Sequence, residues 1–202
     1  MSRERKKRKV NKQFLFFVEG ETEKVFFDTL WQEYRLTSAK TIKILKNSGT
    51  DWVEKSQRMI KNNSRVQPNA KTTVFIVFDK NNDTDSQIKA MIQKSKRLKI
   101  GGSKCEICFS NESFELWLLA YFEKITPGFK TQKQLNLALS KYLGETYVKA
   151  DSVQMQRIIK ENRTLEAIEN SESISEFSLD HQSTNVGSIL KEILSELKSP
   201  TK

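Results

Sequence analysis

Two groups of carboxylates, each set directly behind a short apolar run, are the residues whose types and spacing could do chemistry. Phe14 to Val18 gives way to Glu19, Glu21 and Glu23, with Gly20 among them. Thr72 to Phe78 runs into Asp79, Asp83 and Asp85. Oxygen ligands of this kind suit Mg²⁺ or Mn²⁺, with waters completing an octahedron. If the two runs are parallel neighbouring strands, Glu19 and Asp79 meet at one sheet edge. A pair of such ions can clamp the attacking and leaving oxygens in phosphodiester cleavage. Glu23 or Asp83, a helical turn beyond the first acid of each group, would serve the second ion. A plainer reading stands beside this one, since acids in a first helical turn complement the positive helix end whatever the function. The repeat of the pattern on a second strand moves Glu19 toward a metal ligand and leaves Glu21 as the helix-start acid.

A third carboxylate is out of place in its surroundings. Glu115 lies inside Phe114-Glu115-Leu116-Trp117-Leu118-Leu119, a helix apolar nearly all round and therefore buried. A carboxylate there is costly unless it is paired or binds a metal. Lys, Arg or backbone donors would satisfy it as well as an ion would.

The cations are also clustered. Arg3, Arg5, Lys6, Lys7, Arg8, Lys9 and Lys12 face the single Glu4, so residues 1–12 hold +6 of the net +10. Such an arm either wraps onto phosphates or acts as a solvated leader. A helix over about 84–98 carries Lys89, Lys94, Lys96 and Arg97 opposite Ile88, Met91 and Ile92, with no acid between Ser86 and Lys104. This makes a positive surface close in sequence to Asp79, or an ordinary solvated face.

Other chemistries find no footing. Cys105 and Cys108 form a lone Cys-x-x-Cys whose spacing on a strand points them to opposite faces. One His cannot complete a four-ligand zinc site, and His181 sits in a Ser/Glu-rich stretch without a partner for nucleophilic catalysis. There is no phosphate-cradling Gly-x-x-x-x-Gly-Lys and no Gly-x-Gly-x-x-Gly. With 202 residues and 37% hydrophobic content the chain can fill a sizeable core. No run of about 18 apolar residues exists, and Phe14 to Val18 is too short for a signal-peptide core. Two cysteines imply no disulfide framework, so a cytoplasmic protein is expected.

The elements that must position these residues follow from periodicity. Phe14–Val18, Thr41–Leu45, Thr72–Phe78 and Cys105–Phe109 read as strands, the first and third buried on both faces. Gly20 is expected to turn the backbone sharply after the first. Helices are expected over about 22–35, 52–60, 84–98, a buried segment capped by Ser110 or Asn111, and about 132–143, 153–168 and 186–197, the last capped by Asn185. Residues 169–184 read as a loop. The alternation over 14–123 predicts an α/β fold, a parallel sheet with helices on both faces, followed by a helical C-terminal extension. The expected division is a basic arm at 1–12, an α/β core at 13–126 and a helical extension at 127–202.

Four pieces carry a family resemblance: Val18-Glu19-Gly20-Glu21-Thr22-Glu23, Phe78-Asp79 with its acidic loop, Ser110-Asn111 through Leu119, and Ser183-Thr184-Asn185-Val186. Together they resemble a Toprim-type domain, and more closely the RloB family of bacterial defence-associated proteins. The Glu-Gly-x-Thr-Glu piece is shared with a wider group that includes OLD-family nucleases. The Phe-Glu-Leu-Trp-Leu-Leu piece is the more diagnostic of RloB-like proteins. The resemblance implies a Rossmannoid Toprim sheet, a Mg²⁺- or Mn²⁺-dependent acidic site, and a nuclease role against DNA or RNA, tRNA included, in anti-phage defence by abortive infection. By this analogy Glu19 matches the Toprim glutamate and Asp79 the first aspartate of Asp-x-Asp. Here the motif departs, because Asp79-Lys80-Asn81 has an amide where the second acid should be. Asn81 can coordinate through its oxygen but brings no charge, and the next acid is Asp83. Lys80 either contacts a phosphate or points away. The expected catalytic set is Glu19, Asp79, Glu23 and Asp83, and the expected metal set is Glu19, Asp79, Asn81, Asp83 and Glu115. Lys80, Lys89, Lys96, Arg97, Arg5, Lys6, Lys7 and Arg8 are expected to hold nucleic acid. Expected partners are nucleic acid, an ATPase or other defence-system protein, or further copies of the chain, with no membrane. A catalytically degenerate Toprim domain that binds nucleic acid or a partner is the alternative.

Overall fold

Phe14 to Val18 and Thr72 to Phe78 are buried at every position because helices cover both faces of the sheet they build. The computed structural model describes residues 12–36, 39–45, 51–64, 66–80, 83–98, 100–160 and 163–198, with the side chains of 39 and 196–198 left aside. Arg5, Lys6, Lys7, Arg8 and Asn81 lie outside the described residues.

Strands β1 (Gln13–Val18), β2 (Ala39–Ile44), β3 (Thr72–Asp79), β4 (Lys104–Asn111) and β5 (Ser183–Thr184) form one sheet in the order β2-β1-β3-β4-β5. The first four are mutually parallel, and β5 runs antiparallel beside Ser110 and Asn111. Helices α1 (Glu21–Glu33), α2 (Trp52–Asn62) and α3 (Asp85–Arg97) connect them. The chain continues through α4 (Glu115–Leu119), α5 (Gln132–Leu143), α6 (Ser152–Ile159), α7 (Thr164–Asn170) and α8 (Val186–Lys198). Among the described residues no helix is long and apolar enough to cross a membrane.

Period-2 alternation sorts the core into two layers. Phe14, Phe16, Val18, Phe75, Val77 and Cys108 face α1, α4 and the C-terminal helices, where Phe26, Phe27, Trp117, Tyr121, Leu135, Met155, Ile158 and Leu190 complete the larger cluster. Leu15, Phe17, Val74, Ile76, Phe78 and Phe109 face Trp52, Val53 and Ile60 of α2 and Ile88 and Met91 of α3. Helices from beyond residue 127 therefore close one face of the core, and the polar stretch before α8 supplies the edge strand.

Three local expectations are corrected. The helix expected over 153–168 is two helices, because the chain is extended at Lys160 (φ −49°, ψ 152°). The break lets α6 pack on α1 while α7 packs on α8. Ser110 and Asn111 do not cap a helix; they are the last residues of β4, paired with Thr184 and Ser183. The side chain of Asn185 does not cap α8 either. Its Oδ1 accepts from Phe109 N–H (2.8 Å) and its Nδ2 donates to the Ile107 carbonyl (2.9 Å), so it continues the sheet edge beyond β5.

Candidate metal centre

In this strand order the connections leave β1 and β3 toward opposite sides of the sheet, opening a crevice beyond their carboxyl ends. Glu19 follows β1 and Asp79 ends β3, so both acids stand at that switch point. Register holds them there: Val18 pairs with Val77, and the Glu19 N–H donates to the Val77 carbonyl at 3.1 Å. The Asp79 N–H in turn donates to Glu19 Oε2 at 3.1 Å.

Two further carboxylates arrive from helices on one side of the sheet. Asp79 follows Phe78, which faces α2 and α3, so alternation turns it toward the α1 and α4 layer. Glu23, in the first turn of α1, is 5% exposed and accepts from the Gly20 N–H at 3.0 Å. Glu115 opens α4 and is 1% exposed. The Phe114 N–H donates to Asp79 Oδ2 at 2.9 Å, which ties the start of α4 to the end of β3. Glu21 is exposed and lies 3.7 Å from Lys24, an ordinary helix-start pair.

Gly20 has a different role from the one its type suggests. Its backbone is extended (φ −138°, ψ −173°), a conformation open to any residue, so no sharp turn requires glycine. A Cβ at this position would lie 3.2 Å from Glu23 Oε2. The glycine leaves room for a carboxylate.

Burial and mutual repulsion dominate the electrostatics. Burial raises Asp79 well above the usual carboxylate range, Glu23, Glu19 and Glu115 raise it further, and the Phe114 amide opposes them. Burial brings Glu23 up to about 7, against the pull of backbone amides and with help from Glu19 and Glu115. The Tyr147 hydroxyl is pushed up by burial, then by Glu115, Glu23 and Asp79, so it belongs to the same neighbourhood. Tyr147 Oη donates to Glu115 Oε1 at 3.3 Å, and Lys149 Nζ lies 3.3 Å from the same oxygen.

Asp79 Oδ1 is buried and has no hydrogen-bond partner among the described residues. An orphaned buried acceptor costs about 1–3 kcal/mol, and the surrounding carboxylates add repulsion. A hard divalent cation would relieve both, so the donor set fits Mg²⁺ or Mn²⁺. Among the described residues no three of His, Cys, Asp and Glu are drawn into metal-ligand geometry. Glu19, Glu23 and Asp79 each accept from a backbone amide instead.

The remaining candidates are placed apart from this cluster. Asp83 sits beside the Trp52 indole and Lys55, on the α2 side; burial raises its carboxyl, and those two groups oppose the rise. Lys80 Nζ donates to the Leu179 carbonyl at 3.2 Å and pairs with Asp85 at 3.2 Å, so the loop before β5 engages it. Lys89, Lys96 and Arg97 are exposed on α3. That helix runs back from the carboxyl edge, and its 13 residues span about 18 Å at 1.5 Å per residue. Lys96 and Arg97 therefore stand at the far edge of the sheet, and Lys89 is the nearest of the three. His181 Nδ1 lies 3.0 Å from Ser178 Oγ within that loop. Cys108 and Cys105 face opposite layers, and burial raises both thiols, Cys105 to about 12, which leaves them protonated.

Tyr147 and Lys149 are site residues that sequence reasoning misses. The isolated acid at Glu115 demands a partner, but nothing in the polar 144–150 stretch marks which residue supplies it.

A family model described as RloB-like protein matches residues 14–197. No curated protein and no solved structure matches the chain.

Proposed function

We propose that this chain, which belongs to the RloB-like family, is a Mg²⁺- or Mn²⁺-dependent nuclease that hydrolyses phosphodiester bonds of DNA or RNA. The observation that carries the reading is the buried Asp79 Oδ1, without a partner among the described residues, beside Glu19, Glu23 and Glu115 at the switch point of the sheet. Glu19 and Asp79 would hold the principal ion, with Glu23 and Glu115 adding negative charge beside it. The ion would neutralise these carboxylates and polarise a phosphoryl oxygen. The Phe114 amide orients Asp79, and the Gly20 amide orients Glu23. With its carboxyl near 7, Glu23 can hold or release a proton near neutrality, as a general acid or base must. The family resemblance supports a place in anti-phage defence, tRNA being one candidate substrate.

The test is incubation of the purified protein with DNA and RNA in Mg²⁺ or Mn²⁺. Glu19→Gln and Asp79→Asn are expected to abolish cleavage. Wild-type cleavage by both variants would overturn the assignment.

Two observations favour a second reading, a degenerate domain that binds nucleic acid or a partner without cutting. Lys149 already gives Glu115 a counter-charge, and Asn81 brings none where a second acid is expected. This reading predicts salt-dependent binding that survives Glu19→Gln and Asp79→Asn. Binding lost to chelator alone would count against it.

A further inference from the structure

Among the described residues, Tyr147 and Lys149 partner the buried Glu115, and both come from one stretch of chain, the connection between α5 and α6. Tyr147 Oη and Lys149 Nζ each reach Glu115 Oε1 at 3.3 Å. The exposures differ sharply: the Glu115 side chain is 2% exposed and that of Lys149 is 54%. The lysine side chain therefore reaches from solvent to the buried Glu115 carboxylate.

The connection is held rigidly. Gly144, at φ +73°, ends α5 in the left-handed conformation. The Tyr147 N–H donates to Ser140 Oγ (2.8 Å) and the Val148 N–H to Gln154 Oε1 (2.8 Å). Gln154 Nε2 returns a bond to the Thr146 carbonyl (2.9 Å), and Asp151 caps α6 through the Gln154 N–H (2.8 Å). Residues 146–148 are thus tied to the helices on both sides, and Lys149 is presented from a fixed frame.

A nucleic-acid phosphate approaching four carboxylates is repelled, and a cation beside one of them offsets that repulsion. Lys149 is suited to the task. Its three donors can serve Glu115 Oε1 and a phosphate oxygen together. Resting on the nuclease reading above, we propose that Lys149 contacts the phosphodiester of the substrate at this site. Glu115 tethers it, and Tyr147 fixes Glu115.

The experiment reads binding without turnover. Fluorescence anisotropy of a labelled RNA hairpin and a labelled DNA duplex is followed in Ca²⁺ between about 50 and 200 mM salt, with the melting temperature of each variant measured alongside. Lys149→Met is expected to weaken binding about tenfold and to lower the slope of log K against log salt by about one, as loss of one phosphate contact requires. Lys149→Arg is expected to keep both. If Lys149→Met does not fold, Lys149→Gln gives the same two readouts while keeping a donor for Glu115. Wild-type affinity and slope with a lowered melting temperature would mean that Lys149 only neutralises Glu115, and would overturn the assignment alone. Absence of salt-dependent binding by the wild-type chain on either probe would remove the nucleic-acid reading, and this assignment with it.

Discussion

Replacing Glu23 by Gln is expected to stabilise the metal-free protein above neutral pH and to do nothing near pH 4.5. Burial and the neighbouring Glu19 and Glu115 lift its carboxyl from 4.5 to about 7. Between those values the folded chain binds more protons than the unfolded chain, so stability falls as pH rises through the interval. The penalty is complete above pH 7 and absent below 4.5. At 1.36 kcal/mol per pH unit, the shift corresponds to about 3 kcal/mol. The substitution removes the charge and keeps an oxygen to accept from the Gly20 N–H. For a chain of this size 1 kcal/mol moves the melting temperature by about 2–4 °C, so a gain of about 6–12 °C at pH 8 is the ceiling. Thermal unfolding in EDTA at pH 4.5 and 8 measures it directly. Saturating Mn²⁺ should then raise the melting temperature of wild type more than that of the variant, because bound ligand stabilises the state that holds it. A variant no more stable than wild type at pH 8, or equally stabilised at both pH values, would refute the picture of four repelling carboxylates.

Two substitutions away from the cluster test how the frame is held. Gly187→Ala in α8 would ordinarily stabilise a helix by about 1 kcal/mol. Here the new Cβ would meet Ser171 Oγ at 2.6 Å and Trp117 Cζ3 at 3.1 Å, so urea unfolding should show a loss of about 1–3 kcal/mol. Unchanged or increased stability would show that α7 yields to α8. Asn185→Leu strands the Phe109 N–H and the Ile107 carbonyl and should cost at least about 2 kcal/mol. Asn185→Asp, which keeps only the acceptor, should lose less in the same unfolding series; equal losses would mean that the donor to Ile107 carries the effect.

Much of the frame was legible locally. Five apolar residues before Glu19 and five, Val74 to Phe78, before Asp79 read as strands covered on both faces, and their alternation with helices points to a parallel sheet between two helical layers. The same runs place Glu19 and Asp79 at one edge, because parallel neighbours end together. The interruption of the 153–168 helix was not legible, because α6 and α7 take their directions from α1 and α8, which the local 3.6-residue period does not encode. Nor was β5, whose Ser183 and Thr184 have no apolar signal and exist as a strand only because Asn111 and Ser110 lie beside them.

For the site, sequence determined which acids follow which strands, and so the types and approximate location of the donors. Tertiary structure decided membership. Glu115 joins Asp79 because the Phe114 amide ties α4 to β3, while Asp83, four residues from Asp79, turns to Trp52 on the other layer. Gly20 proved to be space for the Glu23 carboxylate rather than a turn. Tyr147 and Lys149 reach Glu115 from more than thirty residues away along the chain. Spacing along a chain fixes only neighbours within one element; charges from different elements meet where packing brings their ends together.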